Sequence, residues 1–316
     1  MNSTPRHPNP VSFIGFYTCS ATSPCPMGVS DYGVNKASTY SYKATTFQSW
    51  ANFTKLSIGA SPIGCITTQV DCMSIQQNLV DYNVFEQGSP ALVSGVYWAQ
   101  DVVFVGQSGT QYTINQIDNI WNLSAPYASS PSVGIIYPNL LGNCAQYGGQ
   151  PQYYYCLGNQ QITTTLPFEI RMTTTTGVLS SGPYSGSSYV QFGIWVYHSG
   201  KLVSGDVYDE VAFNGHASSS PYFYVSGTGT NPYGILNDAE TVLCGPGGGS
   251  SVTINSIRAS FSESYIASGS ITMTRIPHAW SAGTDTAETV LHVLMSKQSI
   301  GIGKAAAGVD DNKQLW

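Results

Sequence analysis

Asp238 and Glu240 stand two residues apart in an apolar run, 236–244, that passes directly into a glycine-rich turn at 245–251. On a strand, side chains two apart share a face and lie about 7 Å from each other. Two carboxyls so placed suppress each other's ionisation, so one can donate a proton while the other accepts one. Such a pair is costly in a chain where only 9% of residues are charged. It is expected either to be an acid/base site or to cap the amides of the following turn.

Five further acids and one amide complete the shortlist of candidate catalytic residues. Asp285 and Glu288, in the segment DTAE at 285–288, superficially resemble the Asp-Thr-Gly of pepsin-like enzymes. They read equally as a capping box opening a short helix near 286–295. Asp118, between Ile117 and Asn119 with Trp121 nearby, suits either a cleft wall or a buried acid bonded to a neighbouring strand. Asp31 follows a turn-forming Pro26-Met27-Gly28 and is an acid or an Asx-turn residue. Gln100 and Asp101 interrupt the apolar run 96–104, and alternation puts Gln100 on the face of Trp98 and Val102. Paired with Glu240, Gln100 would be analogous to the Gln/Glu pair of fungal glutamic peptidases, with Glu as base and the amide stabilising an oxyanion.

Acid is the medium in which carboxyls can fill both roles. At pH 2–4 a histidine would be fully charged and useless as a base. His7, His198, His216, His278 and His292 have no ligand spacing, and no HExxH, GxSxG or Ser/His/Asp signature occurs. No metal or cofactor is therefore expected. Cys244 lacks a recognisable histidine partner and reads as a core residue or unpaired thiol.

The positions of these residues depend on strands. Val, Ile, Thr and Tyr alternate with polar residues in runs separated by Gly, Ser, Asn and Pro clusters, which predicts an all-β protein of antiparallel sandwich or jelly-roll type. A loop-rich section at 127–161 suggests two packed β-lobes, 1–145 and 160–296, or one continuous domain over 1–296, with an irregular tail at 297–316. Short helices are expected near 45–51 and 286–295. Seven cysteines include three close pairs, Cys19/Cys25, Cys65/Cys72 and Cys144/Cys156, expected to be local disulfides of an oxidising compartment. Sequons at Asn2, Asn52 and Asn122 agree with export. No signal peptide is visible at the start of the sequence, so a processed N-terminus is expected.

The 316 residues carry a net charge of −6, and the 11 Lys and Arg are scattered singly. That leaves no basic stripe for nucleic acid. No apolar run reaches the roughly 18 residues of a membrane helix. A surface built from Ser, Thr, Asn, Gln, Gly and Tyr changes little as carboxylates protonate, which suits acid. The 21 Tyr and 6 Trp either line a groove for extended peptides or serve as ordinary strand residues.

Five segments together resemble the thermopsin family, the secreted acid endopeptidases of thermoacidophilic archaea. They are CPMGVSDYGV at 25–34, YWAQDVVF at 97–104, IDNIWN at 117–122, DAE at 238–240 with the turn after it, and GTDTAET at 283–289. The resemblance implies an all-β extracellular protein that hydrolyses unfolded protein or peptides at low pH, and it transfers no catalytic pair. The rival expectation is a non-catalytic extracellular surface or assembly subunit, with self-association through its surface or tail. A carbohydrate-binding sandwich is a further alternative, suggested by the Tyr and Trp content.

Overall fold

Phe168, Ile170, Met172, Thr174 and Thr176 are buried, while Glu169, Arg171, Thr173 and Thr175 between them are half-exposed. This period of two is the signature of a strand with one face in a core, and it recurs through the molecule. The structure is a computed structural model. It describes residues 30–32, 41–59, 71–84, 95–122, 133–135, 143–146, 153–158, 160–213, 215–217, 219–226, 239–244, 254–275, 279–281, 290–296, 299–304 and 313–314.

Among the described residues, twenty strands follow in chain order. The first ten are β1 (Ser30–Tyr32), β2 (Ser41–Ile58), β3 (Cys72–Val84), β4 (Gly95–Ser108), β5 (Gln111–Asn122), β6 (Val133–Ile135), β7 (Asn143–Gln146), β8 (Tyr153–Leu157), β9 (Ile162–Thr164) and β10 (Phe168–Val178). The rest are β11 (Ser188–His198), β12 (Lys201–Phe213), β13 (Tyr222–Ser226), β14 (Ala239–Cys244), β15 (Ile254–Ala267), β16 (Met273–Arg275), β17 (Ala279–Ser281), β18 (Val290–Ser296), β19 (Ser299–Lys304) and β20 (Lys313–Gln314). No helix occurs among the described residues.

All pairings are antiparallel, and they form a nearly closed arrangement with two broad walls. One wall runs β19–β15–β2–β10–β11–β12–β6. The other runs β17–β1–β14–β3–β4–β5–β8–β7. Strand β13 pairs with both β2 and β3 and so joins the walls at a corner. Strands from the two halves of the chain are interleaved: β2 lies between β10 and β15, and β14 lies against β3.

Between the walls lies an aromatic core. Phe53 stacks on Phe168 at 5.0 Å, Tyr112 of the opposite wall meets Phe168 at 5.1 Å, and Tyr97 meets Phe213 at 4.7 Å. Each such ring, fully buried, contributes about 1.5–3 kcal/mol. The core therefore fixes the spacing and register of the walls.

The expected all-β fold is observed, and both expected helices are corrected. Residues 45–51 belong to β2, where Phe47, Ser49, Ala51 and Phe53 are buried in strict alternation. Residues 290–296 form β18, because β19 supplies a hydrogen-bonding edge that a lone helical turn would not have. Ser299–Lys304, inside the expected irregular tail, is strand β19 and pairs with both β18 and β15.

Candidate active site

The register of the second wall lines up two neighbouring rows of polar residues, one on each face. The first row runs Trp280, Asp31, Glu240, Asn78, Gln100, Asn119 across β17, β1, β14, β3, β4 and β5. The second runs Ser30, Thr241, Gln77, Asp101, Asp118, Cys156 across β1, β14, β3, β4, β5 and β8. Adjacent residues of a strand point to opposite sides. Thr241, Gln77, Asp101 and Asp118 of the second row therefore face the core, and Asn78, Gln100 and Asn119 of the first, the outward row, face away from it.

The core-facing row is sealed. Thr241, Gln77, Asp101 and Asp118 are all 0% exposed. A chain of hydrogen bonds ties the two walls here: Thr174 Oγ1 donates to Gln77 Oε1 at 2.8 Å, Gln77 Nε2 donates to Ser49 Oγ at 2.6 Å, and Ser49 and Thr241 both bond Glu263 Oε1.

Three aspartates, Asp101, Asp118 and Asp209, meet in this interior. The Tyr208 hydroxyl lies 2.7 Å from Asp101 Oδ1 and 3.0 Å from the carbonyl oxygen of Ile117. One hydroxyl carries one hydrogen. Both contacts are satisfied together when Asp101 is protonated and donates to Tyr208, whose own hydrogen goes to Ile117. The same argument holds at Asp81, where the Thr176 hydroxyl lies 2.7 Å from Asp81 Oδ2 and 3.0 Å from the carbonyl oxygen of Tyr189.

Burial acts in the same direction, since a charge is far more costly than a neutral carboxyl away from water. It pushes Asp81 up to about 8 and Asp101 well above the usual carboxylate range. Asp118 is raised by burial and then by the neighbouring Asp209 and Asp101. Burial raises Asp209 to about 6, and hydrogen bonds from Tyr154 at 2.8 Å and the Glu210 amide at 2.9 Å hold it below Asp118. Neither oxygen of Asp118 has a well-formed hydrogen bond, although Asp209 and the backbone of Cys156 are close enough to influence it.

Donor atoms of Asp118, Cys156 and Asp209 lie within 4.8 Å of one another. They make a weak metal site, because Cys156 is disulfide-bonded and offers no thiolate. Cys72 is disulfide-bonded as well, and Cys144 is the register partner of Cys156.

The outward row grazes solvent: Asn78 is 4%, Asn119 8% and Gln100 9% exposed. Its amides are held in order. The Trp121 indole donates to Gln100 Oε1 at 3.1 Å, and because an indole N–H only donates, it fixes which end of the amide is oxygen. Gln100 Nε2 then donates to Asn78 Oδ1 at 2.9 Å. Beside Asn78 in the register comes Glu240, and beside Glu240 comes Asp31.

Among the shortlisted residues, Asp31, Glu240 and Gln100 share the outward row, while Asp101 and Asp118 share the interior one. Asp238, Asp285 and Glu288 lie outside the described residues, as do Cys19, Cys25, Cys65 and Asn2. Sequence reasoning missed Asn78, Asp81, Asp209, Glu263 and the two tyrosines. Asp209 carried a signal, standing beside Glu210 in the otherwise apolar stretch 207–213. A bulge hides its partner: Gly193 pairs with Val207 and Phe192 with Asp209, so Tyr208 is an extra residue and both Tyr208 and Asp209 turn inward.

A family model described as Thermopsin matches residues 10–293 of the chain. Over 304 residues the chain is 26% identical to the protein named Thermopsin from Sulfolobus acidocaldarius, spanning 95% of this chain and 84% of that one.

Proposed function

Because the chain belongs to the thermopsin family, we propose that it is an acid endopeptidase whose active site is the outward row of the second wall. The observation that carries this reading is the register that sets Asp31 directly opposite Glu240, next to Asn78 and Gln100. Directly opposed residues of an antiparallel pair have Cβ atoms about 5 Å apart. Two carboxyls at that spacing cannot both ionise in acid, so they hold one proton between them.

The ionised member takes a proton from water as the water oxygen attacks the peptide carbonyl. The protonated member gives its proton to the leaving amine as the C–N bond breaks. Charge developing on the carbonyl oxygen would be met by an amide N–H of Asn78 or Gln100, the role the Gln/Glu analogy assigns to Gln100. Asn78 stands between Gln100 and Glu240, which makes it the nearer amide. The interior acids Asp101, Asp118 and Asp209 are sealed from substrate and serve the fold.

The same reading makes the protein exported, active without a metal, and cross-linked by Cys144–Cys156 and Cys65–Cys72. Its substrates are unfolded protein or extended peptides, which can pair with strand edges. Cleavage of a denatured protein between pH 1.5 and 7, with and without EDTA, tests the reading. An acid optimum insensitive to the chelator is expected. No cleavage at any pH by the folded chain would reject it in favour of a surface or assembly subunit.

A further inference from the structure

The first wall carries on its outer face a second built surface. Arg171 of β10 has Trp50 of β2 and Trp195 of β11 as register partners. Its guanidinium carbon lies 4.2 Å from the Trp195 ring centre, 5.5 Å from Trp50 and 5.8 Å from Tyr197, and the Trp50 and Tyr197 rings are 5.7 Å apart. Trp50 is further anchored by its indole N–H, which donates to Gln48 Oε1 at 2.8 Å. Trp195 lies down on the sheet because its register partner is Gly205, where a Cβ would come within 2.6 Å of the Trp195 Cα. All three rings remain half-exposed.

Asn52, Phe53 and Thr54 form one of the three sequons. Asn52 is half-exposed, two residues from Trp50 and hence on the same face of β2. On one flank its register partner is Glu169, whose next partner is Tyr197. On the other it meets Ser260 and then Gly301, so small residues leave room beside it.

We propose that Asn52 is an N-glycosylation site and that the Trp50–Arg171–Tyr197 platform is the dock for its own glycan. The proposal rests on the export reading. A pyranose ring presents C–H faces that suit aromatic rings, and its hydroxyls suit the guanidinium donors. Tyr197 lies two strands from Asn52, about 10 Å, which is within reach of the first two sugars. The modification requires a lipid-linked sugar phosphate donor. The Asn52 Nδ2 forms a bond to the anomeric carbon, the bond from that carbon to the phosphate oxygen breaks, the lipid phosphate leaves with the electron pair, and the transferase takes the amide proton.

The test uses the full chain secreted by a host that N-glycosylates its exports, with the same chain from a host lacking that machinery as reference. Peptide mass mapping should find Asn52 modified, and the secreted form should melt roughly 2–4 °C above the reference. Thr54→Val removes the acceptor hydroxyl and should erase both the glycan and this difference. Trp50→Ala, or Tyr197→Ala if the first fails to fold, should leave Asn52 modified and still abolish the difference. An unmodified Asn52 beside a modified Asn2 or Asn122 overturns the site while leaving export standing. A secreted chain with no modified sequon overturns the site together with the export reading. A difference in Tm that persists without the ring overturns the dock.

Discussion

The two faces of β14, β3, β4 and β5 carry carboxyls and amides in adjacent rows, yet the rows are treated oppositely. Inside, Asp101 and Asp118 are walled off from water and completed by the hydroxyls and carboxyl of the facing wall. Outside, Gln100 and Asn78 are oriented by a neighbouring indole and left at the edge of solvent. Polar residues in a sheet are thus no guide to catalysis by themselves. What separates the described members of the two rows is that the interior carboxyls are sealed among neighbours that favour their protonated form, while the outer amides stand at the edge of solvent.

The sharpest way to break this contrast is to remove one acid from each row. Glu240→Gln and Asp31→Asn should each lower kcat by about 10²–10⁴-fold with Tm nearly unchanged, measured on a denatured protein substrate at acid pH. Asp101→Asn should leave kcat within a few-fold of the parent. The reverse result would move the active site into the core.

Stability against pH is the second test. Unfolded, Asp81 releases its proton near pH 3.8; folded, it keeps it to about 8, and Asp209 keeps its proton to about 6. Across pH 4–8 the folded state therefore holds protons that the unfolded state has lost, so stability falls as pH rises. Below pH 4 both states are protonated and the full stability is present. Thermal melts should drop steadily from pH 3.5 to 8, a loss of several kcal/mol in all. Asp81→Asn, whose amide can donate to the Thr176 hydroxyl as the protonated carboxyl does, should flatten the slope.

Asn78→Ala and Gln100→Ala should each cost about 10²–10³-fold in kcat if their amides meet the oxyanion, and Trp121→Phe, which only frees the Gln100 amide to turn, should cost less. Equal KM values would separate this from lost substrate binding. At the small end, Tyr208→Phe should cost about 1–3 kcal/mol by stranding the Asp101 carboxyl and the Ile117 carbonyl, with kcat unaltered.

Where strands are regular, the sequence could be read well. Alternation placed Gln100 with Trp98 and Val102, and the same logic separates it from Asp101. Which acids share a row was less legible, because Asp31 and Glu240 are register partners through a pairing between residues far apart in the chain. Asn78 was hidden in the series Gln76-Gln77-Asn78, where both faces of one strand are polar. Asp209 and Tyr208 were hidden by a bulge, which breaks the alternation the reading relies on. The segment 45–51 was misjudged because a central strand offers its partners on both edges only after the fold is assembled.

The placement of β2 also governs when the molecule can fold. Ala51 pairs with Phe261 on one side and Ile170 on the other, so the central strand of the first wall waits for residues synthesised much later. Contacts this distant in sequence make for slow assembly. A chain truncated before Ile254 would keep an eighteen-residue strand with one bare edge, a template for misassociation. Refolding should therefore be slow, all-or-none with respect to the C-terminal strands, and most productive when the chain is dilute.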